Sequence, residues 1–250
     1  DKLGVQMMAR PNALFPPFNN VKARQALLHL VNQSDAMQAV VGDPEYYRKS
    51  CVTYFMCGSE NETTAGVVGL TPDIDKAKQL LSEAGVSNPT VRIMFAKQNV
   101  RRQGEFRLMK ESAEQAGFKI VDSSSDDWST LVFTAPDKYD AAFFAWISNG
   151  TGVTDVIPQY MSKKLGGSNN PYGFSNKQVD DLYEQLQVTT DPTKQDELLK
   201  QVDKLLVDNA FGLTIFQFPS MTSYSNKLQG IKPIAITPTI FWNFWEWKLS

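Results

Sequence analysis

The feature that most constrains this chain is the alternation of two hydrophobic periods between Asp73 and Trp146. After Asp73, the residues Ile74, Ala77, Leu81 and Ala84 follow at helical spacing, and Gly85 stands where a helix ends in a left-handed conformation. Val91, Ile93 and Phe95 then alternate as a strand does. Phe106, Met109, Ala113 and Ala116 return to the helical period over 103–116, closed by Gly117. Phe118 to Val121 reads as a short strand, and Asp126 or Asp127 opens a brief helix through Phe133. Tyr139 to Trp146 is an apolar strand that ends in an aromatic and runs into Ser148-Asn149-Gly150. This order predicts an α/β sheet with helices packed on it. An apolar strand that delivers a Trp and a polar loop at its carboxyl end is one way to build a ligand pocket. The plainer reading of Trp146 is a packed core aromatic.

The flanks are less regular. Residues 1–18 alternate weakly and end in Phe15-Pro16-Pro17-Phe18, where the prolines oppose both helix and ladder, so an extended connector is expected. Asn19-Asn20 offers an N-cap for a helix from Val21 to about Asn32, with His29 inside it. Ser34 caps a second helix through Val41, stopped by Gly42-Asp43-Pro44. Residues 43–70 have no clear period. Thr154 to Lys163 reads as helix, and Ser175 caps a helix carrying Val179, Leu182, Tyr183 and Leu186. Asp191-Pro192 opens a strong helix through Val207, and Phe211 to Phe218 is a strand. From Pro219 onward the helical pattern ceases. The run Phe241 to Trp247 is expected to be an extended aromatic tail that needs another surface to cover it.

Composition excludes several functions. A net charge of -2 gives no electrostatic footprint for nucleic acid and no basic face for a membrane. No apolar run is long enough to span a bilayer. The first eight residues do not form a signal peptide and there is no initiator Met, so a mature or cut-down chain is expected. Cys51 and Cys57 fit neither a redox C-x-x-C nor a zinc pair. Their close spacing suits a small disulfide loop, which would imply export, and the other reading is two buried thiols. One histidine, no G-x-S-x-G, no G-x-G-x-x-G and no phosphate-binding loop leave no catalytic, cofactor or metal set, so no enzyme is expected. The carboxylate pairs Asp126-Asp127 and Asp180-Asp181 read as helix-dipole and solvent-facing groups. Lys97, Arg101 and Arg102 lie between a strand end and a helix, a place either for a clamp on an anionic ligand group or for a solvated loop.

Several stretches also carry a resemblance. Phe15 to Leu27 is similar to the "P-x-x-D/N-x-x-x-R-Q-A-L" signature of the solute-binding proteins of peptide and nickel ABC importers, solute-binding family 5. Asp73 to Gly85 resembles that family's "D-P-x-K-A-K-x-L-L-x-E-A-G", and Gln115 to Ile120 its "x-x-G-I-x-V" step. Tyr139-Asp140 through Trp146, followed by Asn170-Pro171-Tyr172-Gly173-Phe174-Ser175-Asn176, resembles its "Y-D-x-x-x-x-x-W … N-x-x-x-Y-S-N" region. The matches keep family order over residues 15–218.

The resemblance implies a periplasmic-binding-protein-like fold of type II (cluster C). The chain would be the second lobe, a mixed sheet flanked by helices over residues 1–218, with residues 219–250 as an extended aromatic tail returning toward the first lobe. It implies a monomeric extracytoplasmic receptor, periplasmic or a cell-surface lipoprotein. Such a receptor captures an oligopeptide or similar polar solute in an interlobe cleft and delivers it to ABC permease subunits, with no cofactor. An oligosaccharide or metal-chelate receptor, a hydrolase or a partner-docking domain are the alternatives. Ligand contacts are expected from Trp146, Ser148, Asn149, Asp155, Lys97 and Arg101. Family peptide binders hold the ligand amine with an aspartate just after the strand-end Trp. Asn149 stands near that place without a charge, and Asp155 comes later in the loop.

Overall fold

A computed structural model describes residues 5–47, 53–58, 62–63, 71–147, 157–218, 222–232 and 240–250. Its organising element is a five-stranded sheet of β1 (Val5–Pro11), β2 (Thr90–Met94), β3 (Lys119–Asp122), β4 (Ala141–Ile147) and β5 (Leu213–Phe218). The order across the sheet is β3-β2-β4-β1-β5. β2 is parallel to β3 and β4, while β1 runs antiparallel to both β4 and β5. Four strands therefore point the same way and place their carboxyl ends along one edge.

The mixed α/β sheet agrees with the sequence reading, but the N-terminal connector does not. Residues 5–11 form β1, an interior strand paired on both sides. Their alternation is masked because Gln6 and Arg10 are polar yet fully buried. A period-2 pattern is visible only when one face is apolar and the other wet.

Helices cover both faces. On one lie α1 (Val21–Leu27), α2 (Gln33–Val40), α3 (Ile74–Glu83) and α4 (Val100–Gln115). They bury Ala26, Leu27, Met37, Leu81, Met109 and Ala113 with Met7, Ile93, Phe143 and Ile215 of the sheet. On the other lie α5 (Trp128–Thr134), α6 (Ile157–Tyr160), α7 (Lys177–Val188) and α8 (Pro192–Asp208). There Met8 meets Tyr160, Tyr183, Val202, Leu206 and Phe211, and Val132 meets Ala142 and Tyr172. Side chains of Asn20, Asn32, Asp73, Asn99, Asn176 and Asp191 accept from the first-turn amides of α1, α2, α3, α4, α7 and α8. Each such cap satisfies an orphan donor.

Local boundaries differ from expectation where a cap lies elsewhere. The helix expected over 21–32 stops at Leu27, and Asn32 rather than Ser34 caps α2. His29 lies in the intervening turn, where its carbonyl accepts from Asp73 N at 2.9 Å. Its imidazole is half-buried, and burial lowers its pKa. α4 starts at Val100 because Asn99 caps it, and α7 is capped by Asn176, not Ser175. Asp180 is not solvent-facing: it accepts from Ser162 N at 2.8 Å and from Ser162 Oγ at 2.6 Å. The helix expected over 154–163 is described only as α6 and a 3-10 turn at Lys163–Leu165.

The residues that carry the resemblance hold the base of the sheet, opposite the carboxyl edge. Asp140, just before β4, takes Arg92 Nε at 2.9 Å and Nη2 at 2.8 Å, which fixes β2 against β4. Arg24 donates to Phe18 O at 2.7 Å and to Asn209 O at 3.0 Å, tying α1 to the end of α8. Asn170 Nδ2 bridges Met161 O at 3.1 Å and Phe174 O at 2.7 Å. Arg24 and Asn170 satisfy backbone carbonyls that no ladder reaches, and Asp140 Oδ2 also accepts from the Arg92 amide at 2.7 Å.

Residues 241–246 form two 3-10 turns kinked at Asn243 rather than an extended tail, and β6 (Leu228–Gln229) pairs with β7 (Lys248–Leu249). Asn243 organises this unit: Nδ2 donates to Gly230 O at 2.7 Å and Oδ1 accepts from Trp247 Nε1 at 3.2 Å. Phe241, Phe244 and Trp245 are 57%, 62% and 66% exposed, a concentration of apolar surface within five residues.

Candidate functional site

The carboxyl edge gathers the candidate residues. β1 begins there and β5 ends there, since Val5 is registered with both Ile147 and Phe218. The chain thus enters and leaves the sheet beside the end of β4. Trp146 lies in β4 with its Cα opposite Gln6. Its side chain is not among the described parts, and Ser148, Asn149, Asp155 and Cys51 lie outside the described residues.

Lys97 and Arg101 follow β2. Lys97 is exposed, and its amide donates to Ser125 O at 3.2 Å, next to the bridge between Ala96 and Ser125. Gln103 Nε2 donates to Lys97 O at 2.7 Å, which fastens this turn to α4. Arg101 stands in the first turn of α4 with Nε 3.4 Å from Glu105 Oε1. Arg102, the third base of the group, turns inward. Its Nη1 donates to Phe143 O at 2.9 Å and its guanidinium lies 4.3 Å from the Trp128 ring centroid. Burial lowers its pKa. Arg102 is therefore a packing residue, and the cationic edge reduces to Lys97 and Arg101.

Sequence reasoning missed the groups behind this edge. Glu105 is buried, and burial raises its carboxyl to about 7, with Arg101 and Arg102 opposing the shift. Gln6 and Gln217, paired across β1 and β5, hold segment 53–58. Gln6 Nε2 donates to Thr53 O at 2.8 Å. Gln217 makes a two-point contact with the Cys57 backbone, accepting from N at 3.0 Å and donating to O at 2.9 Å. Tyr54 N donates to Asp203 Oδ1 at 2.9 Å, and its hydroxyl donates to Gly212 O. Space at Gly212 is tight: a Cβ would meet Met8 Sδ at 2.8 Å, Arg10 Cδ at 3.0 Å and Ala9 O at 3.1 Å. Cys57 is buried and disulfide-bonded. Gln6, Gln217 and Tyr54 have no local motif, because each depends on a partner distant in sequence, whereas Glu105 meets Arg101 one turn away on its own helix.

Among the described residues no group of His, Cys, Asp and Glu is arranged to hold a metal ion. No described helix is long and apolar enough to cross a membrane.

Residues 3–171 match the family model described as bacterial extracellular solute-binding proteins, family 5 Middle. A relative from Sinorhizobium fredii, named "Probable peptide ABC transporter periplasmic-binding protein y4tO", is 27% identical over 97% of this chain. The Helicobacter pylori periplasmic binding protein DppA, solved with the peptide STSA, superposes with a TM-score of 0.83 at 17% identity over 99% of the chain. NikA from Brucella suis, solved with Fe(III)-EDTA, gives a TM-score of 0.77 at 16% identity, also over 99%. At those identities the structural likeness establishes the fold. The chain spans about half the length of these proteins, 46%, 48% and 51% respectively.

Proposed function

The chain belongs to the bacterial extracellular solute-binding proteins of family 5, and from that membership we propose that it is the second lobe of an extracytoplasmic receptor. The receptor captures an oligopeptide or similar polar solute between two lobes and hands it to an ABC permease. It works as a monomer by hinge closure and carries out no chemistry of its own. The observation that carries this reading is the carboxyl edge. Parallel strands end there, the chain crosses in and out there at Val5 and Phe218, and Lys97 and Arg101 stand beside it. Ligands of open α/β sheets bind at this end.

Within the site, Lys97 and Arg101 meet a ligand carboxylate, while Trp146, Ser148, Asn149 and Asp155 supply the opposite contacts. Asn149 offers an amide where a charged partner for an ammonium group would be an aspartate. The exposed aromatic unit 240–250 packs on the remainder of the protein. Cys51 and Cys57, the two cysteines of the chain, form the disulfide loop.

Mass spectrometry of the solute retained by gently purified full-length protein tests the reading directly. A peptide is the expected result; a retained metal chelate, the ligand type seen with Brucella NikA, would transfer the receptor to that branch. Calorimetry then places the affinity of the recovered solute. In the full-length protein Arg101→Ala weakens it by roughly 1.5–3 kcal/mol if Arg101 meets a carboxylate. Unchanged affinity in both Lys97→Ala and Arg101→Ala would remove the anion clamp. The 250-residue chain alone should bind weakly, because it spans about half the length of its two-lobed relatives.

A further inference from the structure

The entry of the chain into β1 at Val5 and its exit from β5 at Phe218 stand side by side at the carboxyl edge. The ladder that joins them there is short. β5 is the outer strand of the five. Its register on β1 shifts within the strand, with Met7 paired to Phe216 but Met8 to Thr214. Three pairs, Val5–Phe218, Gln6–Gln217 and Met7–Phe216, therefore lie between the irregularity and the edge. On its other side β1 keeps one register with β4 over seven pairs, from Val5 to Pro11. A short outer ladder beyond a bulge opens and twists more readily than such an interior one.

Segment 53–58 is fastened across that ladder. Gln6 and Gln217 are its middle pair, and both are buried. Gln6 Nε2 donates to Thr53 O at 2.8 Å, while Gln217 holds both the amide and the carbonyl of Cys57. One segment thus grips both strands. It is also anchored in the helical layer. Tyr54 N donates to Asp203 Oδ1 of α8 at 2.9 Å, and the Tyr160 hydroxyl of α6 donates to Tyr54 O. The Phe55 ring packs edge-on against Tyr160 at 6.0 Å between centroids. Residues 53–57 are buried, so parting the two strands would break these bonds away from water. Cys57 is disulfide-bonded, which restricts the segment further.

We propose that segment 53–58 is a brace on the interlobe crossing, with Gln6 and Gln217 as its positioning residues. It keeps the last three pairs of the β1–β5 ladder closed, so that bending during lobe closure is confined to the chain outside Val5 and Phe218. The hinge role rests on the two-lobed reading given above. The brace itself can be measured without solute.

The experiment compares the solute-free full-length protein with two variants. Gln217→Leu removes the grip on Cys57. Cys51→Ser combined with Cys57→Ser opens the disulfide loop and alters neither strand, so that its effect on β5 must pass through the segment. Hydrogen exchange is read by mass spectrometry. Residues 213–218 should exchange several-fold faster in both variants, while 90–94 and 119–122 keep their wild-type rates. Wild-type rates at 213–218 in either variant would overturn the proposal. Equal acceleration in all three stretches would overturn it too, because that reports a general loss of stability. Small-angle scattering of the same samples then tests the hinge. The radius of gyration should rise in both variants as the lobes sample wider angles, and an unchanged radius beside faster exchange at 213–218 would remove the hinge role. A wild-type scattering profile without two lobes would sink the two-lobed reading and the hinge role with it, an outcome that the exchange data separate from failure of the brace.

Discussion

The two faces of the sheet are held by different physics. Beneath α1 to α4 the sheet presents Met7, Ala9, Ile93, Phe143 and Ile215, all apolar and buried. Beneath α6 to α8 the same strands present Gln6, Met8, Arg10 and Gln217, equally buried. The first face attaches regular helices whose backbone is already satisfied. The second also attaches irregular segments, 53–58 and 161–175, whose amides and carbonyls need partners once water is excluded. Buried polar side chains supply them, and Arg10 is the extreme case. Its guanidinium stacks 3.6 Å from the Phe211 ring centroid and 4.4 Å from that of Tyr172, and reaches Asn170 Oδ1 at 3.5 Å. Burial lowers its pKa to about 10, which leaves it charged at neutral pH. One face is specified by volume, the other by paired donors and acceptors.

Mutations can break this contrast. Arg10→Ala removes a cation and leaves a cavity among aromatic rings; it should cost about 3–5 kcal/mol in urea unfolding of the full-length protein. A loss below about 1 kcal/mol would mean that the rings close over the gap, and the second face would then behave like the first. Gln217→Leu keeps most of the volume but strands the Cys57 amide and carbonyl, for about 1–3 kcal/mol. Hydrogen exchange should speed at Cys57 while α3 stays protected; a uniform change would deny that the glutamine acts on that segment. Ile93→Val on the first face removes one methylene and should cost about 0.5–1.5 kcal/mol. A larger loss there than for Gln217→Leu would reverse the ranking of the two faces.

The same contrast explains which residues were legible. Asp73, Ile74, Ala77, Leu81 and Gly85 announced α3 because cap, apolar stripe and left-handed end all lie within one local window. Asp191-Pro192 announced α8 for the same reason. β1 was missed because Gln6 and Arg10 read as solvent-facing until Thr53, Phe211 and Tyr172 come into contact with them. The helix expected over 21–32 ends at Leu27, and the amide that takes up the His29 carbonyl belongs to Asp73. The family signatures Arg24, Asp140 and Asn170 were readable as a resemblance, yet they secure backbone groups at the base of the sheet. They identify the fold and are silent on the solute.

By itself the sequence determined the alternation of strands and helices, most caps, the apolar face of the sheet and the family, since each is written in local spacing or in an ordered set of short motifs. Only the tertiary structure decided that β1 is an interior strand and that Arg102 is spent on the Phe143 carbonyl. The reason is physical. A buried polar residue is specified by a partner brought near by folding, and no window along the chain contains both.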